Sequence, residues 1–126
     1  MNIFSKLFGK HPSESEILNV AMKLAKERGL QFRQPIQNRL FKKYPFLDKD
    51  QLDNYNVICK TVLNDGISFI NNSVMEFRKQ KRVVERDELE NLFNDHMLKK
   101  YPWMDKANLS GVFNHVGYYG EPNQPG

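Results

Sequence analysis

The sequence predicts an all-α single domain of about five helices. Three observations lead there. The hydrophobic periods along the chain lie near 3.6 residues and none lies near 2. Helix start and stop signals punctuate those periods. An eleven-residue segment, Lys42-Lys43-Tyr44-Pro45-Phe46-Leu47-Asp48-Lys49-Asp50-Gln51-Leu52, returns 57 residues later as Lys99-Lys100-Tyr101-Pro102-Trp103-Met104-Asp105-Lys106-Ala107-Asn108-Leu109, with seven of eleven positions identical. Two copies are too few for a solenoid, so the repeat is read as a duplicated corner inside one domain.

The elements follow in order. Ser13 and Glu16 form a capping box, in which the hydroxyl accepts from the Glu16 amide while Glu16 reaches back. Ile17, Leu18, Ala21, Met22, Leu24 and Ala25 then make a broad apolar stripe, and Gly29 after Lys26 and Arg28 is a stop signal. Pro35 suits the first position of a second helix, lined by Ile36, Leu40, Phe41 and Tyr44 and ended by Pro45. Leu52, Tyr55, Cys59, Val62, Gly66, Ile70, Val74 and Phe77 place one long helix over Lys49–Arg82. Asn64-Asp65-Gly66 is its weak point, where a kink or break is the alternative. Asp87 is expected to cap a fourth helix with Glu90 as its box partner, burying Leu89, Leu92, Phe93, His96 and Met97. A fifth helix is expected from Lys106 to about Val116. The domain division is thus 1–12 as an amphipathic N-terminal segment, 13–117 as the helical domain, and 118–126 as a Gly- and Pro-containing tail expected to be flexible.

The repeated corner has a physical logic. Paired lysines in the last turn face the negative end of the helix dipole. Proline cannot continue the helix and pushes the preceding tyrosine to an extended conformation. Asp48 and Asp105 are the N-caps of the helices that follow. Leu47 with Leu52, and Met104 with Leu109, stand at the spacing of a hydrophobic staple.

Composition narrows the function mainly by exclusion. With 126 residues, 40% hydrophobic and 27% charged, the chain is long enough to bury a core without disulfides or metals. No apolar run approaches the ~18 residues of a membrane span, so stable membrane insertion is not expected. One cysteine, Cys59, cannot form an internal disulfide, and the first residues carry no secretory h-region; a cytoplasmic location is the expectation.

Catalytic machinery is not expected. His11, His96 and His115 stand at no metal-ligand spacing, no glycine-rich phosphate loop occurs, and most carboxylates are accounted for as caps. His96 reads as a core histidine bonded to a carbonyl, and Cys59 as a buried inert thiol; a Cys59–His pair is the remote enzymatic reading. No cofactor and no metal are expected. The leading expectation is a small protein-interaction module: an adaptor, inhibitor or regulatory partner, with self-association as a further form. Its candidate contact residues are Phe4, Leu7 and Phe8 on the N-terminal segment, and Tyr44, Phe46, Tyr101 and Trp103 at the corners. Each set also has a plainer reading, packing on the chain's own core. The alternative function is nucleic-acid binding through Arg78, Lys79, Lys81 and Arg82, the densest basic run. The net charge of +4 makes weak, nonspecific nucleic-acid binding an expected background. Against DNA reading by the helix after the first corner, Asp48, Asp50 and Asp53 crowd its start.

Overall fold

A computed structural model describes residues 12–27 and 34–119. They form five α-helices and, among the described residues, no strand: α1 (Glu14–Ala25), α2 (Gln37–Lys43), α3 (Lys49–Lys79), α4 (Arg86–Lys100) and α5 (Lys106–Tyr119). Helix α3 is the spine. Its 31 residues span about 46 Å at 1.5 Å per residue, and it packs against each of the other four helices. Helix α1 also touches α2 and α5, and α4 touches α5.

The apolar stripes meet in one core. Ala21 and Met22 of α1, Leu40 of α2, Cys59 and Val62 of α3, Phe93 and Met97 of α4, and Val112 and Val116 of α5 are almost wholly inaccessible. Phe93 sits edge-on to Phe69 at 6.1 Å and tilted against Phe113 at 5.3 Å. Helix α3 runs unbroken through Asn64-Asp65-Gly66, so the break considered from sequence does not occur. Packing explains why glycine stands there. A Cβ on Gly66 would lie 3.3 Å from both the Phe93 ring and a Val116 methyl, so the missing side chain lets α4 and α5 approach α3.

The helix ends divide into those closed locally and those closed by another helix. Ser13 accepts from the Glu16 amide at 3.1 Å, one arm of the expected box. Helix α1 ends at Ala25 with Lys26 as C-cap; Gly29 lies outside the described residues. There the Arg39 guanidinium from α2 donates to the Leu24 carbonyl at 2.8 Å and pairs with Glu27 at 3.5 Å. Pro35 is not the first residue of α2. The N-cap is Ile36, whose amide donates to Asn56 Oδ1 of α3 at 3.1 Å. At α3, Asp48 and Gln51 make a complete capping box, at 2.8 and 2.9 Å. At α4 the expected cap is displaced: Glu85 holds the N-cap position without a side-chain bond, and Asp87 falls in the first turn. The charge of Asp87 still lies near the positive end of the dipole there. Helix α5 begins after Asp105, whose carboxylate accepts from the Asn108 amide at 2.8 Å, and continues to Tyr119, past the boundary expected at Val116.

Tyr44 and Tyr101 close α2 and α4 with similar backbones, φ −132° and ψ 76° against φ −129° and ψ 67°. Each tyrosine amide bonds the carbonyl four residues back, Leu40 at 2.9 Å and Met97 at 2.7 Å. The Leu47 amide reaches the Tyr44 carbonyl at 3.1 Å, and the Met104 amide reaches that of Tyr101 at 3.1 Å. Leu47 and Met104 are each 4% exposed.

No described helix is both long and apolar enough to cross a membrane.

Candidate interaction surface

At the first turn between helices, Tyr44 and Phe46 lie with ring centroids 5.9 Å apart. At the second, Tyr101 and Trp103 meet edge to face at 6.2 Å. Tyr44, Tyr101 and Trp103 are half-buried and packed against the core. Phe46 is not: it is 48% exposed. Three of the four aromatics therefore anchor their turns, and one faces out.

Two further apolar side chains, in the last turns of α2 and α4, lie at the surface. Phe41 is 46% and Leu98 is 40% exposed, and they too are 57 residues apart. Sequence periodicity assigned Phe41 to the buried line of α2. It faces solvent because a seven-residue helix buries little of its circumference, and Leu40 takes that face. Leu92 is likewise displaced from the expected stripe of α4 and is 42% exposed, leaving Phe93 and Met97 as the buried pair. The matching position of Leu98 in the repeat was the available signal for Phe41.

Both turns meet α1. Burial, and secondarily the Glu16 carboxylate, push the Tyr44 hydroxyl upward. Asn19 is the contact at the second turn. Its Nδ2 donates to the Trp103 carbonyl at 2.8 Å, its Oδ1 accepts from the Asp105 amide at 3.0 Å, and the Asn108 amide group donates to its carbonyl at 2.8 Å and to Oδ1 at 2.9 Å. Phe4, Leu7 and Phe8 lie outside the described residues.

A carboxylate cluster that sequence reasoning missed lies behind the second turn. Asp65, in mid-α3, accepts from Lys100 Nζ at 2.8 Å and from the Tyr101 hydroxyl at 2.9 Å, and its other oxygen meets His96 Nε2 at 3.0 Å. His96 therefore bonds a carboxylate rather than a backbone carbonyl, and its ring stacks on Phe69 at 4.5 Å. Burial pushes the Asp65 carboxyl up, but the bonds from Lys100, His96 and Tyr101 together outweigh it and hold the group below its ordinary value. Burial and then the Asp65 bond push the Tyr101 hydroxyl up to about 12. The partners come from α3, α4 and the turn after α4, 31 to 36 residues apart, and no local spacing announces them.

The basic run lies at the C-terminus of α3 with Arg78, Lys79, Lys81 and Arg82 all exposed. Arg82 pairs with Glu88 at 2.7 Å and lies over the Phe77 ring at 4.8 Å. Lys81 adopts φ 56°, the left-handed conformation. Glu85, Asp87, Glu88 and Asp95 line a groove along the first half of the next helix, together with Arg86. Acid thus stands close to the run in the chain and, through Glu88, in contact with it.

Cys59 and His96 do not form a pair, since His96 is bound to Asp65 on another part of α3. His115 lines the same cavity as Cys59. Cys59 is 1% exposed, and burial pushes its thiol up to about 12, so the thiolate needed by a nucleophile is not stabilised. Among the described residues no group of three His, Cys, Asp or Glu side chains is placed to hold a metal ion.

No protein-family model, curated protein or solved structure matches the chain.

Proposed function

We propose that the protein is a small helical protein-interaction module, an adaptor, inhibitor or regulatory partner acting in the cytoplasm without catalytic activity. The observation that carries the reading is the exposure of Phe46 at the first turn, with Phe41 and Leu98 exposed in the last turns of α2 and α4 and Trp103 half-buried at the second turn. Aromatic side chains with one face anchored and one face open are the usual hot spots of protein interfaces. The shared 57-residue offset supports a duplicated helix–turn–helix corner, each copy offering an aromatic at the third position after its lysine pair. On this reading the contact set is Tyr44, Phe46, Tyr101 and Trp103, extended by Phe4, Leu7 and Phe8 on the N-terminal segment. The partner is another protein or a second copy of the chain.

The nucleic-acid alternative draws on Arg78, Lys79, Lys81 and Arg82, but Arg82 is engaged with Glu88 and Phe77. Phosphate attraction from so mixed a surface is expected to be weak and to fade steeply by ~200 mM salt.

The test is affinity capture and sedimentation with the full chain, its Phe46→Ser variant and a variant lacking residues 1–10. The expected result is a partner, or self-association, that survives ~200 mM salt and is lost in Phe46→Ser without a fall in melting temperature. Sequence-specific nucleic-acid binding at that salt, or association unchanged by both variants, would reverse the reading.

A further inference from the structure

We infer that the open face of α3 is a self-association surface, on which a second copy of the chain lays its own α3 antiparallel about a two-fold axis beside Asn64. This face is distinct from the aromatic turns, which it leaves to a different protein. It lies opposite the buried stripe of α3, and Val57, Thr61, Asn64, Ser68, Asn72 and Met75 follow it at helical spacing, all exposed. Val57 is 58% and Met75 54% exposed, both more than Phe46. Between Thr61 and Met75 one residue is ionisable, Asp65, and its carboxylate is turned to α4 by Lys100, Tyr101 and His96. Thr61 donates its hydroxyl proton to the Val57 carbonyl at 2.9 Å, so that donor stays satisfied when water leaves. Asparagine, serine and threonine are weak helix formers, and exposed helix positions that no packing decides are better filled by alanine, glutamate or lysine. The stability of α3 therefore does not account for Asn64, Ser68 and Asn72. Loss of charge around an exposed methionine is the composition of an interface centre.

The two ends of the face select the occupant. Asp50 stands in the first turn of α3, and Arg78 and Lys79 in its last. The helix dipole favours that polarity in a lone helix, but it does not explain the uncharged turns between. In an antiparallel pair the acid of each copy meets the base of the other, and the two dipoles oppose favourably. With the axis beside Asn64 the face is in register with itself, because its exposed positions are spaced symmetrically about that residue. Asp50 then stands opposite the second copy's Lys79, and Thr61 opposite its Ser68. Val57 stands opposite Asn72 and within one turn of Met75, so the two exposed apolar side chains share one contact. Asn64 meets its counterpart at the axis, where a single asparagine fixes the register of paired helices. The face runs about 44 Å from Asp50 to Lys79 at 1.5 Å per residue. A surface complementary to itself end for end fits a second copy of the same chain.

The test is sedimentation equilibrium of the full chain from ~10 μM to ~1 mM, with circular dichroism of each variant. The expected result is a monomer–dimer equilibrium. Asn64→Lys sets two like charges together at the axis, from an exposed position, and should weaken the dimer at least tenfold. Asp50→Lys and Lys79→Asp should each weaken it at least threefold, because every pair occurs twice about the axis. The double variant Asp50→Lys/Lys79→Asp should recover most of that loss. Phe46→Ser, which removes association at the turns, should leave this dimer intact. If circular dichroism shows Asn64→Lys unfolded, the charge-reversal series decides. A chain that stays monomeric over the whole range, a dimer indifferent to a folded Asn64→Lys, or no recovery in the double variant would overturn the inference. A dimer lost in Phe46→Ser and kept in Asn64→Lys would also overturn it, and would leave the contact at the turns standing.

Discussion

Asn19 supplies at the second turn a bond that a side chain one methylene too short does not make. At the first turn the Asp48 amide is satisfied by Gln51 of the same helix. The equivalent residue at the second turn is Asn108, one methylene shorter, and the Asp105 amide is taken instead by Asn19 from α1. A local cap has become a contact between helices. Asn19→Ala leaves the Trp103 carbonyl and the Asp105 amide without that partner, and it should cost about 2–3 kcal/mol. Gln51→Ala removes an exposed capping arm and should cost about 0.5–1 kcal/mol. Chemical denaturation of the two variants checks the ordering, which reverses if α1 is not held at this turn. Asp65 is the second case. Its carboxyl is held below the ordinary value in the folded chain, so the folded state favours its charged form. That stability is present above the unfolded carboxylate value near 3.8 and is lost as pH falls through the lower folded value. Asp65→Asn should lose about 2 kcal/mol at neutral pH, discounted for the exposure of Lys100. Its deficit relative to the wild type should shrink as pH falls below about 4. A deficit constant from pH 7 to pH 2 would show that the ionised carboxylate is not what matters there.

Helix α3 is decided at its middle and at its end. In the middle, intrinsic preference argues for interruption at Asp65-Gly66, yet the helix continues because Gly66 is the point of closest approach to Phe93 and Val116. Tertiary packing overrides propensity there. Gly66→Val adds volume where both neighbours are almost inaccessible, and it should cost about 1–3 kcal/mol by overpacking, read as a fall in melting temperature. At the end, the Arg82 amide reaches the Phe77 carbonyl at 2.9 Å and the Lys81 amide reaches that of Arg78 at 3.0 Å. This is the Schellman pattern, with lysine where glycine is favoured. Lys81→Gly should therefore raise stability by up to about 1 kcal/mol, since glycine adopts the left-handed conformation without steric cost. A destabilised Lys81→Gly would mean that the lysine side chain contributes a contact outweighing its backbone.

Over the whole molecule, the arrangement has one centre. Helix α3 serves both halves: Leu52, Tyr55 and Cys59 line its first part, and Ile70 and Val74 its second, all in a single buried cluster. The two turns, though alike in backbone, are therefore not expected to belong to autonomous units. A chain ending at Lys79 loses α4 and α5, and with them Phe93, Met97, Val112 and Val116. Burying one such side chain is worth roughly 1.5–3 kcal/mol, and a domain's whole stability is only about 5–15 kcal/mol. Residues 1–79 alone should show no cooperative thermal transition by circular dichroism, whereas the full chain should unfold in one step. A folded, cooperative 1–79 fragment would mean that the first half carries its own core.

What local chemistry could dictate was legible in the residues themselves. Helical class, the long α3, the caps at Ser13, Asp48 and Asp105, and the tyrosine stops all depend on neighbours within about five positions. Their signals survive in a linear reading. The misplaced cap at Asp87, the exposure of Phe41 and Leu92, and the start of α2 after Pro35 depend on which face another helix covers, and periodicity gives a face without its occupant. The Asp65 cluster, the Asn56 cap on Ile36 and the Arg39 bond to the Leu24 carbonyl join residues 15 to 36 positions apart. Only packing brings them within a few ångströms. Exposed Phe46 lies between these cases: sequence placed it at a turn, and the tertiary structure alone decided that Tyr44 packs inward while Phe46 faces solvent.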